Sequence, residues 1–108
     1  MSKSEEYAKE LAKLTEIFKD VEDSRRKLVE GLIEDAAFLK AENFILKQQI
    51  TETGMMKIHP RHPGIQKPIE TAKQYLKNIN SYSVVIKTLN GVLMKNIIED
   101  DDDLDEFE

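Results

Sequence analysis

The segment spanning residues 54–67 reads Gly-Met-Met-Lys-Ile-His-Pro-Arg-His-Pro-Gly-Ile-Gln-Lys, and its His59-Pro60-Arg61-His62-Pro63 core is the one local cluster whose residue types could do chemistry. Imidazoles ligate metals and move protons, but a metal site needs three or four ligands. The carboxylates Glu52 and Glu70 flank the cluster at no recognised ligand spacing. The expectation is therefore a solvated turn whose Arg and His side chains meet phosphate or a neighbouring subunit, with no metal and no cofactor. The chain has no Cys, which removes thiolate nucleophiles, disulfides and Cys-based zinc or iron-sulfur sites. No phosphate-binding glycine loop, nucleophile elbow or HExxH zinc motif occurs, and no carboxylate pair that reads as a catalytic acid and base stands apart from the C-terminal acidic run. No residue is a candidate for catalysis, and the protein is expected not to be an enzyme.

Charge supplies the remaining candidates. Arg25, Arg26 and Lys27 form a basic triplet at the start of a helix, where the helix dipole disfavours positive charge and so invites an anionic partner. DNA phosphate is the expected partner, with Arg61 and Lys67 next in line; the competing reading is a solvated helix end paired with Asp20, Glu22 or Asp23. The net charge of -5 hides an asymmetry, because residues 99–108 hold eight acids and no base. Without them, 13 acids face 16 Lys plus Arg, leaving a body of net +3. Such a body offers few phosphate contacts per subunit, so DNA binding is expected to be weak, salt-dependent and gained by multiplicity. Lys73, Lys77, Lys87 and Lys95 are scattered and read as solubility. Within the acidic run, Leu104 and Phe107 are spaced to form one helical turn that docks on a basic, apolar groove of a partner. The run can equally be a disordered tail, or one that folds over its own basic body.

The elements that must position these residues are helical. Tyr7, Leu11, Leu14, Phe18 and Val21 step by four and three, predicting a helix over 4–20 with a capping box from Ser2 and Glu5. A turn is expected at residues 20–24, with Asp23 or Ser24 as the next N-cap, although one continuous helix is the competing reading. Val29, Leu32, Ala36, Leu39, Asn43, Leu46 and Ile50 repeat the spacing of a heptad seam and predict a helix over 24–53, ended by the left-handed residue Gly54. Gly31 interrupts it, through close helix contact or mere tolerance. The density of Pro and Gly predicts a loop without strands over 54–67, with Pro68 opening the last helix. Tyr75, Ile79, Tyr82, Ile86, Leu89 and Leu93 then predict a helix over 68–98.

The expected fold is thus all-α: a long antiparallel helical hairpin with a shorter N-terminal helix, residues 1–98 forming an oligomerisation domain and 99–108 a tail. A hairpin has one seam and cannot enclose a core, so apolar surface should remain for other copies. Leu32, Leu39, Asn43, Leu46, Tyr82, Ile86, Leu89 and Leu93 are the expected oligomer interface, with Asn43 as a register-setting polar position or simply the edge of the stripe. No apolar run approaches the roughly 20 residues that cross a bilayer, and the charged start does not read as a signal peptide, so no membrane role is expected.

The order of features resembles the short small-subunit terminases of tailed phages and prophages. The resemblance rests on Leu32-Ile33-x-x-Ala36-Ala37-Phe38-Leu39, then Ile50-Thr51-Glu52-Thr53-Gly54, a loop with His59-Pro60, and a long helix with Tyr82-x-x-x-Ile86-Lys87-x-Leu89. It covers about residues 10 to 98. Where many of those proteins close with Leu-Gly-Leu-Thr-Pro, residues 81–85 here continue as helix, and no helix-turn-helix precedes the hairpin. The resemblance implies a non-catalytic DNA-packaging subunit in the cytoplasm of a bacterial host. It would assemble as a ring, engage double-stranded viral DNA and regulate a large ATPase-nuclease subunit, contacted through Leu104 and Phe107. The alternative is a coiled-coil interaction module with no DNA role.

Overall fold

A computed structural model of the chain describes the backbone of residues 2–106 and the side chains of residues 2–95. Three helices, α1 (Lys3–Ile17), α2 (Asp23–Thr53) and α3 (Glu70–Glu106), carry most of the chain, and two short strands, β1 (Met56–Ile58) and β2 (Gln66–Pro68), lie between α2 and α3. The described molecule is elongated, 75 × 28 × 17 Å.

The caps explain where the helices begin and end. The Ser2 hydroxyl accepts the Glu5 N–H at 3.2 Å and starts α1, as its sequence spacing predicts. α1 ends at Ile17, three residues before the expected boundary, and α2 starts separately after the bend that follows. Phe18 and Val21 are buried at 8% and 3% exposure, so turning their side chains inward fixes this bend. The α2 cap is Glu22 rather than Asp23 or Ser24, with no side-chain cap bond; Asp23 is the first helical residue and reaches Arg26 at 3.4 Å instead. Gly54 ends α2 at φ +78°, a conformation costly to any residue with a Cβ, and its N–H donates to the Ile50 carbonyl at 2.7 Å.

The 54–67 segment departs from the expected strandless loop. β1 and β2 pair antiparallel with Met56 opposite Pro68, Lys57 opposite Lys67 and Ile58 opposite Gln66. Pro60, Pro63 and Gly64 all fall in the tip between the strands, where no ladder N–H is required. In a two-stranded ribbon both strands are edges, which is where Pro68 is tolerated. Pro68 therefore closes β2 instead of opening the helix, and α3 begins at Glu70. Beyond residue 98 the backbone stays helical to Glu106, extending past the expected boundary into the acidic run. No Gly or Pro after Gly91 interrupts it.

α2 is the central helix and packs on both α1 and α3. Its Ala36, Ala37 and Ala41 are all but inaccessible, and small side chains at these positions let flanking helices approach closely. The core joins Leu14 of α1, Phe18 and Val21 of the bend, Val29, Ile33 and Ala36 of α2, and Leu89 of α3. Each of the larger ones contributes about 1.5–3 kcal/mol on burial. Leu11, Leu32, Tyr82, Val85, Ile86, Val92 and Leu93 pack around them and remain partly exposed.

Candidate functional site

α1 is less than half as long as α3, so it covers only part of the surface that α3 offers. Where the two helices meet, an open trough of about 520 Å³ is lined by Leu14 and Ile17 of α1, by Phe18 just after it, and by Tyr82, Ile86, Leu89 and Leu93 of α3, with Ser83, Lys87 and Asn90 at its edge. Ile17 is half exposed on its rim.

A polar anchor lies beside this trough. Glu10 is buried at 4% exposure, the one charged residue among the buried positions described. Its Oε1 accepts the Tyr82 hydroxyl at 2.7 Å and its Oε2 meets Lys13 Nζ at 3.0 Å. A buried carboxylate is costly unless paired and hydrogen-bonded, and both conditions are met here. Lys40 Nζ of α2 sits 5.5 Å from the centroid of the Tyr82 ring, within cation–π range. Burial pushes the Tyr82 hydroxyl well above its ordinary ionisation range, and the hydrogen bond and negative charge of Glu10 push it further in the same direction. Tyr82 thus remains a donor, and the three helices are joined through one side chain. Sequence reasoning placed Tyr82 on the apolar stripe but missed Glu10. The signal was present, since Glu10 lies three residues after Tyr7 and four before Leu14, on the buried face of α1.

The expected interface residues divide on burial. Leu89 is 1% exposed and belongs to the core of the single chain, at the floor of the trough. Leu32, Tyr82, Ile86 and Leu93 are partly buried against that core, and Leu39 and Leu46 are partly buried on α2. Asn43 is partly buried, lies in a pocket with Lys40, Lys47, Tyr75 and Tyr82, and its buried Oδ1 has no hydrogen-bond partner among the described residues. A Cβ added at Gly31 would meet nothing within 4 Å, so that glycine is tolerated rather than required by a close helix contact.

The expected DNA-binding residues do not come together. Residues 25–27 stand at the start of α2 and Arg61 and Lys67 beyond its far end, roughly 45 Å away at 1.5 Å rise per residue. Arg26 Nη2 reaches both Asp23 Oδ1 at 3.4 Å and the Lys19 carbonyl at 3.3 Å, closing the α1–α2 bend. Lys27 is exposed and Arg25 partly buried. Lys57, which sequence reasoning did not single out, is brought directly opposite Lys67 on one face of the ribbon. The pattern Met-Lys-Ile before the tip and Gln-Lys-Pro after it was the available signal. At the tip, the His59 N–H donates to the Ile65 carbonyl at 3.0 Å. His59 Nδ1 in turn accepts the N–H groups of Arg61 and His62 at 3.1 and 3.2 Å, which orders the turn. The His59 and His62 rings lie 5.1 Å apart, and among the described residues no group of three or more potential metal ligands forms.

Leu104 lies on the helical backbone of α3 but its side chain, like the whole of Phe107, is outside the described residues, so the tail contact has no structural description. Among the described residues no helix is long and apolar enough to cross a membrane. Comparison with protein-family models, curated proteins and solved structures finds no match to this chain.

Proposed function

We propose that this chain is a non-catalytic assembly subunit in which α2 and α3 form an antiparallel helical hairpin, α1 lies along α2, and the trough between α1 and α3 receives a second copy. The observation that carries this reading is the trough itself, in which Ile17, Ile86 and Leu93 stay wholly or partly exposed over the buried Leu14 and Phe18, beside a buried polar anchor. The hairpin is supported by the order of contacts between its helices: Lys47 and Phe44 share a pocket with Tyr75, Lys40 meets Tyr82, and Val29 and Ile33 share the core with Leu89. Ile17→Asp tests it. The position is half exposed, so a carboxylate there is solvated in the single chain but desolvated in a dimer. Light scattering at micromolar concentration, in about 0.5 M NaCl to screen contacts between charged surfaces, should report an oligomer for the parent and a folded monomer for the variant. A parent that is monomeric, or a variant that associates unchanged, refutes the reading.

The packaging role implied by the small-terminase resemblance is the form of this proposal that gives the assembly a ligand. What supports DNA as that ligand is the cationic ribbon of Lys57, Arg61 and Lys67. A repeated array of three cations per subunit should bind duplex DNA weakly and with steep salt dependence. Fluorescence anisotropy with labelled duplex should show binding at low salt that is lost in the Lys57→Ala, Arg61→Ala, Lys67→Ala variant and retained when residues 25–27 are changed to Ala. The opposite pattern moves the DNA contact to the start of α2, and no binding in either form leaves the interaction module without a DNA role.

A further inference from the structure

The ribbon gathers three cations in a stretch of chain without acids. Lys3, Lys13, Lys19, Arg26 and Lys73 each pair with a carboxylate, of Glu42, Glu10, Glu16, Asp23 and Glu70 respectively. Lys57, Arg61 and Lys67 make no ion pair among the described residues, and no Asp or Glu occurs from residue 54 to residue 69. Lys57 and Lys67 also face one another directly across the strands and line one hollow with Pro68, Ile69 and Glu70. Like charges so placed destabilise a ribbon unless an anion relieves them. The other basic cluster is already compensated, because residues 19–30 hold four bases and four acids. The ribbon is apolar as well: Met55, Met56, Ile58 and Ile65 are each between 43% and 58% exposed.

The chain itself contains a segment of matching chemistry, the run of residues 99–108 with eight acids and the apolar Leu104 and Phe107. It cannot reach the ribbon of its own copy. The ribbon adjoins the start of α3, where the Ile69 N–H donates to the Met55 carbonyl at 3.0 Å. Residue 99 lies 29 helical residues beyond Glu70, roughly 44 Å along the axis at 1.5 Å per residue. We propose that copies of this chain assemble head to tail, the acidic end of α3 of one copy seating on the 54–69 ribbon of the next. The acids steer and neutralise Lys57, Arg61 and Lys67, while Leu104 and Phe107 cover the exposed Met and Ile side chains. Such a contact joins two different surfaces, so it propagates into a ring or an open chain rather than stopping at a pair. It is separate from the trough, rests on the preceding reading only in that the chain self-associates, and makes the tail and DNA alternative occupants of the same three cations.

Sedimentation velocity on the full chain tests this, with Ile17→Asp present in every sample to silence the trough. Association should be evident at low salt and weaken by about tenfold or more in about 0.5 M NaCl, where the screening length falls below about 5 Å. One variant carries Lys57→Glu, Arg61→Glu and Lys67→Glu. The other carries Asp100→Asn, Asp101→Asn, Asp102→Asn, Asp103→Asn, Leu104→Ala and Phe107→Ala. Each alone should be monomeric, with unchanged helix content by circular dichroism. Mixed, they retain one intact ribbon and one intact tail and should form a 1:1 pair that grows no further. The proposal is overturned if the parent does not associate at low salt or its association ignores salt, if either variant alone associates as the parent does, or if the mixture stays monomeric. It is likewise overturned if the ribbon variant loses only its retention of a labelled DNA duplex or of anionic lipid vesicles while its self-association persists, since the ribbon then serves another partner.

Discussion

Tyr82→Phe removes one oxygen and leaves the ring, its packing and its cation–π contact with Lys40 in place, so its effect isolates the bond to Glu10. A hydrogen bond to a charged group is worth about 1.5–3 kcal/mol, against roughly 0.5–1.5 for a neutral one. Glu10 is buried enough that water cannot replace the lost donor, although Lys13, itself about half exposed, still partners the other oxygen. The expected loss is therefore about 2 kcal/mol, a large share of the 5–15 kcal/mol typical of a domain. Urea denaturation followed by far-ultraviolet circular dichroism, at fixed protein concentration, measures it. Combining Tyr82→Phe with Glu10→Gln in a double-mutant cycle should give a coupling energy of about 1 kcal/mol or more. A single-mutant loss below about 0.5 kcal/mol would show that the pair is solvated and that it does not join α1 to α3.

The same bond predicts a pH dependence whose sign is fixed by the raised ionisation of Tyr82. The unfolded chain releases this proton near the ordinary tyrosine value of 10.0, while the folded chain holds it to higher pH. The tyrosine contribution to stability is complete below that value and declines as pH rises above it. The stability difference between the parent and Tyr82→Phe should accordingly shrink above pH 10. A difference that grows in alkali would overturn the assignment of Tyr82 as the donor.

Three substitutions test other parts of the fold. Gly54→Ala forces a Cβ into φ +78° and should cost about 1–3 kcal/mol in denaturant titration. Gly31→Ala, in the open interior of α2, should stabilise by about 0.5–1 kcal/mol; a destabilisation there would indicate a helix contact in the assembly that the single chain does not show. Asn43→Leu removes a buried acceptor without a partner and should raise stability by about 1 kcal/mol, and a simultaneous change in oligomer mass would identify Asn43 as the position that sets assembly register.

Helix existence was legible because it is dictated by local periodicity, and the two long stripes around residues 29–50 and 75–93 needed no tertiary information. The ribbon was not, because proline and glycine counts report how often a segment turns but not where the turns fall. Here Pro60, Pro63 and Gly64 crowd into one tip and leave three-residue strands on either side. The end of α3 was placed eight residues short because a run of acids was weighed as tail composition, whereas a helix stops only where something ends it. Glu10 was lost for a different reason. A carboxylate on an apolar stripe becomes a buried group only if a donor arrives from elsewhere, and the donor, Tyr82, is 72 residues away in the chain.

Ten hydrophobic side chains are buried among the described residues, and four of them are alanines. Leu32, Leu39, Phe44, Ile45, Leu46 and Ile50 on α2, with Ile86 and Leu93 on α3, are only partly covered, and Ile17, Leu28, Phe38 and Val84 are exposed by half or more. A single copy therefore leaves much of the apolar surface its sequence supplies uncovered, and in the proposed assembly that surface would gain its stabilisation on association. Folding and assembly should then be linked by mass action, so that the thermal midpoint rises with protein concentration. For a dimer, each tenfold increase in concentration contributes about 1.4 kcal/mol per mole of dimer. Shared between two chains of this size, that is a shift of roughly 3–5 °C, since 1 kcal/mol moves the midpoint of such a domain by about 4–8 °C. Differential scanning calorimetry across a hundredfold concentration range should resolve it, in high salt to suppress any contact through the ribbon. Ile17→Asp should abolish the concentration dependence while leaving the dilute-limit midpoint nearly unchanged. A midpoint that stays constant over that range in the parent would mean the single chain is self-sufficient, and the uncovered trough would lose its claim to be an assembly surface.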